Sequence, residues 1–143
     1  MAKISIIYWS GTGNTEEMAN VIHEGIISQS GEAEIKSVSD ASVDDVINSE
    51  VIVLGCPSMG NEELEDSEME PFISSIEDKV NGKKVVLFGS YGWGDGQWMR
   101  DWEERMKAAG ANLIEESITV NGSPDGDEDK KILIDLGNRL AKA

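Results

Sequence analysis

The residue order predicts an α/β chain, one domain over residues 1–143, folded as a doubly wound, five-stranded parallel sheet with helices on both faces. Three observations carry that prediction. Short, nearly unbroken apolar runs rich in β-branched residues stand at 4–8, 51–54 and 85–88, the pattern of strands buried on both faces. Stretches of helical spacing fall between them, giving five strand–helix alternations that right-handed crossovers confine to few topologies. Turn-forming residues follow each of the three runs, and in open parallel sheets ligands sit beyond the carboxyl ends of the strands.

The run at 4–8 is the first buried strand. Residues 14–28 follow as a helix, with Met18, Val21, Ile22 and Ile26 on one face. A weaker strand at 33–38 carries Glu34 and Lys36, as a charged edge strand does. Ser42-Val43-Asp44-Asp45 opens a short helix over 42–48 with the spacing of a capping box. After the strand at 51–54, a helix over 71–80 presents Phe72, Ile73, Ile76 and Val80. Its start is open between a cap at Ser67 and a first helical residue at Pro71. Beyond 85–88, a helix over 98–109 repeats Trp98, Trp102, Met106 and Ala109, with Asp101 and Arg105 paired on its outer face. The last strand region, 113–120, is interrupted by Glu115-Glu116-Ser117. A turn-rich segment at 121–129 then leads to a closing helix over 129–141.

Composition narrows the function. The chain has 12 Lys and Arg against 28 Asp and Glu, a formal charge of −16. That balance disfavours nucleic acid and anionic membranes and favours basic protein partners. A single Cys and a single His exclude a disulfide framework and a multi-cysteine metal site. The apolar runs are too short to cross a bilayer, and the first residues lack a signal peptide's apolar core, so the expected address is cytoplasmic. His23 lies outside the apolar stripe of its helix and Cys56 follows a buried strand, so both read as structural. No catalytic residue and no metal ligand stands out.

The loop Ser10-Gly11-Thr12-Gly13-Asn14-Thr15 falls between a buried strand and a helix. Its glycines let the backbone turn sharply and aim several N–H groups at one point, where the helix dipole adds a positive end. Ser10, Thr12, Thr15 and Asn14 add neutral donors, so the loop is a phosphate nest without a cation. A Walker loop would need a Lys, and the dinucleotide pattern GxGxxG fails at Glu16, which disfavours triphosphate hydrolysis and dinucleotide binding.

Two further loops, Gly55-Cys56-Pro57-Ser58-Met59-Gly60-Asn61-Glu62 and Gly89-Ser90-Tyr91-Gly92-Trp93-Gly94-Asp95-Gly96, complete a set of three. Together with Tyr8-Trp9-Ser10-Gly11-Thr12-Gly13-Asn14-Thr15-Glu16 they resemble the flavodoxin family in its short-chain form, over essentially the whole chain. No insertion splits the last strand region. The resemblance implies strand order 2-1-3-4-5 with FMN at the switch between the first and third strands, flavodoxin being the standard example of that topology.

It also implies roles. The phosphate goes to residues 10–15, with a weaker contact from the Trp9 indole N–H. Met59 and Trp93 cover the two ring faces, an arrangement suited to a polarizable thioether and to a glycine-flanked indole. The Gly60 carbonyl turns in to accept the proton that flavin N5 gains on one-electron reduction, holding a neutral semiquinone, and Asn61 suits the switching turn. The Glu62 side chain bonds flavin N3, the backbone of Gly92 to Gly94 faces the ring carbonyl O2, and Ser90 reaches the ribityl chain or phosphate. Ser58, Gly89 and Tyr91 complete the implied cofactor-binding set, and Pro57 is given no phosphate contact. Six carboxylates between Glu62 and Glu70 stand beside the expected ring with no basic residue among them. They should lower the potential of the second reduction and steer basic partners. The implied function is a monomeric, low-potential one-electron carrier between redox proteins, not an enzyme. Two rivals remain, an FMN-dependent NAD(P)H:quinone-type reductase and a flavodoxin-like activator of a radical enzyme.

Overall fold

The computed structural model describes residues 3–143. The elements run β1 (Lys3–Tyr8), α1 (Asn14–Ser28), β2 (Glu32–Ser37), a 3-10 turn (Val38–Asp40), α2 (Val43–Ile47), β3 (Val51–Gly55), α3 (Met69–Ile76), β4 (Lys84–Tyr91), α4 (Gln97–Ala108), β5 (Asn112–Leu113), β6 (Ile118–Asn121) and α5 (Asp127–Leu140). All pairings are parallel, in the order β2-β1-β3-β4-β5, with β6 also on β4. The sequence expectation of five strands becomes six because the last strand is cut in two. Asn112 and Leu113 pair with Lys84 and Val85, and Ile118 to Asn121 pair with Phe88 to Tyr91 on the same edge. The intervening residues leave the ladder for side-chain partners: Glu115 takes Arg139, and the Ser117 hydroxyl donates to Glu103.

Helices cover both faces. Ile4, Ile6, Val51, Val53, Val86 and Phe88 pack under α1 and α5, while Ile7, Ile52, Leu54, Val85 and Leu87 pack under α3 and α4. Helices α1 and α5 cross where Gly25 meets Gly137. A Cβ on Gly25 would overlap the Ile134 carbonyl, and one on Gly137 the Ile22 carbonyl. Ser42 forms the capping box, giving its N–H to Asp45 at 2.9 Å and accepting the Asp45 N–H at 3.4 Å.

Two local expectations are corrected. Helix α3 begins at Met69, two residues before Pro71, and ends at Ile76. Pro71 is tolerated there because a first-turn N–H needs no intrahelical partner. Residues beyond Ile76 close in tight turns that still bury Val80. Arg105 does not pair with Asp101. Its guanidinium reaches across to α3, donating to Glu70 at 2.6 and 2.7 Å, to Glu77 at 2.7 Å and to Ser74 at 3.1 Å. A planar fork satisfied by two carboxylates and a hydroxyl on the neighbouring helix outcompetes one exposed carboxylate on its own helix. Asp101 instead accepts from Gln97.

Candidate functional site

Strand order reverses between β1 and β3, and a cavity of about 290 Å³ opens there, beyond the carboxyl ends of β1, β3 and β4. Three loops wall it. The first contributes Trp9, Ser10, Gly11, Thr12, Asn14 and Thr15; the second Pro57, Ser58 and Met59; the third Ser90, Tyr91 and Gly92. Gly122, in the turn after β6, closes the rim, its N–H donating to the Tyr91 carbonyl at 2.9 Å.

The first loop is a set of unspent donors. Helix α1 starts after Gly13, whose φ of 100° belongs to the left-handed region and whose position supplies no side-chain cap. Among the described residues, the first-turn N–H groups of Asn14, Thr15 and Glu16 have no protein acceptor, since the first helical bond runs from Glu17 to Gly13. Ser10 Oγ accepts the Gly13 N–H at 3.1 Å and fixes the turn. Thr15 is buried and shares a 3.0 Å hydrogen bond with Ser90, tying the first loop to the third. Neutral donors gathered at a helix start in this way suit an anion such as a phosphate. Alongside, a polar groove of about 490 Å³ runs from Tyr8 and Gly13 to Ser37 and Glu68. Burial, together with the hydrogen bond to Glu16, pushes the Tyr8 hydroxyl up to about 12.

The second loop is built from carboxylates turned onto backbone. Residues 59–63 form a tight excursion closed by a two-bond bridge between Met59 and Glu63. Gly60 has φ 52° and Glu62 φ 57°, so the left-handed positions are Gly60 and Glu62 rather than Asn61. The Glu62 conformation is held by its own carboxylate, which accepts the backbone N–H groups of Asp95 (3.2 Å), Gly96 (3.3 Å) and Gln97 (3.2 Å) at the start of α4. Gly94, at φ 89°, gives Glu62 the space a Cβ would fill. Glu65 is 5% exposed and accepts from Ser67 N–H (2.8 Å), Glu68 N–H (2.7 Å), Met69 N–H (3.0 Å) and the Ser67 hydroxyl. Burial pulls the Glu65 carboxyl upward, but these hydrogen bonds outweigh it and hold the group below its ordinary value. Cys56 is fully buried, and that burial pushes its thiol up to about 12.

Within the set expected from sequence, eleven residues line the cavity and seven do not. Gly13 forms the turn behind it, and Gly60, Asn61 and Glu62 lie in the adjoining excursion. Trp93 and Gly94 stand on the rim, with Trp93 61% exposed. Gly89 is buried inside β4, where a Cβ would overlap the Cys56 carbonyl, so close strand packing explains that glycine. The Trp9 indole N–H donates to Glu68 at 3.3 Å rather than into the cavity, and its ring lies over Gly11. Sequence reasoning missed Glu65 and Glu68 as supports. Gly122 was missed as well, although Asn121-Gly122 is a turn signal that could have found it.

Comparison with known proteins decides the family. The flavodoxin family model matches residues 6–134. The flavodoxin of Clostridium beijerinckii is 49% identical over 96% of this chain and 99% of its own length. That of Megasphaera elsdenii is 49% identical over 98% and 99%. This chain belongs to the flavodoxin family. The solution structure of two-electron reduced Megasphaera elsdenii flavodoxin superposes with a TM-score of 0.89, at 48% identity and covering 98% of this chain and 99% of that one. A flavodoxin from the domain Archaea gives 0.87 at 27% identity, covering 98% and 96%. As a flavodoxin the protein is an FMN-binding electron carrier, not an enzyme, and it works with redox partner proteins; neither the reductase nor the activator reading is favoured. Among the described residues no helix is long and apolar enough to cross a membrane.

Proposed function

We propose that the cavity at the β1/β3 switch holds FMN with its phosphate against residues 10–15 and its ring between the second and third loops. The observation supporting this most directly is the uncapped start of α1, whose free N–H groups and hydroxyls adjoin a cavity with Met59 and Tyr91 on its walls. Bound there, FMN supplies reversible one-electron transfer. The chain's own residues bind, orient and shield. Thr12, Asn14 and the α1 N-terminus take the phosphate, and Ser90, braced by Thr15, faces the chain between phosphate and ring. Met59 on the cavity wall and Trp93 on the rim would cover the ring, and the Gly60 carbonyl would accept a hydrogen bond from a proton held at flavin N5. Glu62 stands beside this region and keeps the second and third loops together.

In this reading the protein is a low-potential carrier. Glu63 and Asp66 are exposed and, among the described residues, without side-chain partners. They leave uncompensated negative charge near the ring, which opposes adding a second electron. The same charge steers basic docking surfaces on partner proteins, and a formal charge of −16 suits a monomer in the cytoplasm, folded as one domain over residues 1–143. The test is stepwise dithionite reduction of the FMN-loaded protein followed by visible absorbance. Two resolved one-electron steps, the second well below the first, are expected. A single concerted two-electron step would overturn the low-potential carrier reading.

A further inference from the structure

A carboxylate outside the cavity organises two of its walls. Glu65 is buried at the base of the excursion that carries Met59 and Gly60, and lines the small hollow, about 150 Å³, behind those two residues. Its backbone N–H donates to the Cys56 sulfur at 3.4 Å, which brings the two ends of the excursion together just beyond β3. Its side chain caps α3 through the N–H groups of Ser67, Glu68 and Met69. The same cap fixes Glu68, whose carboxylate accepts the Trp9 indole N–H, and Trp9 walls the cavity from the opposite side. One buried carboxylate therefore sets both the height of the Met59–Gly60 turn over the cavity and the position of the Trp9 ring.

We infer that Glu65 is a positioning residue for the flavin site, acting through the Met59–Gly60 excursion and through Glu68 and Trp9. This rests on the placement of FMN in that cavity. Capping hydrogen bonds from an ionised carboxylate are among the stronger ones in proteins, and a buried carboxylate satisfied by four donors has one well-defined position. Removing the carboxylate frees the α3 N-terminus, against which the returning end of the excursion is held, and leaves the backbone contact of residue 65 with Cys56 there. The Met59–Glu63 bridge closes the tip of the excursion, the Ser58 N–H on the Ser90 carbonyl holds its start and Glu62 holds its side, while Glu65 ties its returning end to α3. An ordinary helix cap would alter stability alone, whereas this one links to two cavity walls.

The experiment compares Glu65→Ala and Glu65→Gln with Ser42→Ala, which removes the capping box of α2 on a helix that contributes nothing to the cavity. Each is read by thermal unfolding, by FMN affinity from flavin fluorescence quenching, and by the two one-electron midpoint potentials. Glu65→Ala should weaken FMN binding tenfold or more and narrow the separation of the two potentials. Glu65→Gln, which keeps one acceptor oxygen in place, should fall between Ala and wild type. Ser42→Ala should lower the melting temperature with affinity and potentials unchanged. Wild-type affinity and potentials in Glu65→Gln and Glu65→Ala would overturn the inference, whatever their melting temperatures, and so would an affinity loss matched by Ser42→Ala. If Glu65→Ala does not fold, Glu65→Gln alone decides. Failure of the unaltered protein to bind FMN would instead overturn the cofactor placement.

Discussion

The loop at 10–15 and the loop at 57–70 flank one cavity and are built on opposite principles. The first leaves backbone donors unspent: α1 begins without a side-chain cap, and the free N–H groups and hydroxyls adjoin the cavity. The second spends almost all of its charge internally. Of six carboxylates between Glu62 and Glu70, Glu62 caps α4, Glu65 caps α3, Glu68 holds Trp9 and Glu70 holds Arg105. A glycine-rich turn can wait for an anion because neutral N–H groups are readily solvated meanwhile. A buried carboxylate must be satisfied by the fold itself. An acidic run that looks like an interaction surface is therefore mostly internal bracing, and two residues, Glu63 and Asp66, remain for the outside.

Acid should separate the two loops most strongly. The carboxyls of Glu65 and Glu70 are both held below their ordinary value, Glu70 chiefly by the Arg105 fork. Their contribution to stability is complete above the ordinary carboxylate range and is lost as pH falls through the lower folded values. The buried Glu65 cap carries most of this effect, the half-exposed Glu70 pair being screened by water, and with both lost together the effect should exceed that of any single substitution below. Thermal unfolding from pH 7 to pH 3 should show it, with FMN-free protein used so that phosphate titration plays no part. In Glu65→Gln the pH slope should be smaller; an unchanged slope would deny that Glu65 braces the second loop.

Glu62→Ala comes next. It strips the acceptor from three N–H groups while leaving residue 62 in the left-handed region, and should destabilise by about 2 kcal/mol. Chemical denaturation measures it, and a change below about 0.5 kcal/mol would mean that water replaces the carboxylate without cost. Gly60→Ala sharpens the comparison further. A Cβ there meets nothing within 4 Å, so the φ of 52° alone opposes it, at roughly 1–2 kcal/mol. The penalty should appear as lower stability of Gly60→Ala in chemical denaturation, and an unchanged stability would mean that the turn relaxes to negative φ. Glu63→Gln with Asp66→Asn should be the smallest in stability, within about 0.5 kcal/mol, while reducing the salt dependence of association with a basic redox protein. A salt dependence equal to wild type would remove these two residues from docking.

The sheet and the glycine-rich turn before α1 were legible because each has a local signal, whereas the strand order came from the family resemblance. Buried strands are uniformly apolar, and a strand–glycine–helix junction states its backbone geometry in the residue types. The split of β5 from β6 was visible as Glu115-Glu116-Ser117, though not the partners that Glu115 and Ser117 take there, Arg139 and Glu103. Helix α3 started early because its cap is Glu65, a residue that reaches forward along the chain from a buried position and looks in sequence like any other surface Glu. Arg105 was assigned to Asp101 because spacing along one helix can be counted from sequence, whereas a carboxylate on the helix alongside cannot. Two residues of the expected site that the structure places otherwise share that cause. Gly89 and Trp9 answer to Cys56 and Glu68, neighbours only in three dimensions.

The central claim, that the unspent donors of residues 10–15 take the FMN phosphate while the second loop supplies bracing rather than phosphate ligands, is tested most directly by comparing two flavins. Fluorescence quenching titrations of the FMN-free protein with FMN and with riboflavin, in one buffer, isolate the phosphate. With several hydrogen bonds to a charged acceptor at about 1.5–3 kcal/mol each, FMN should bind at least a thousandfold more tightly. Thr12→Val should reduce that preference by roughly tenfold while leaving riboflavin affinity unchanged. Equal affinities for the two flavins would contradict the account.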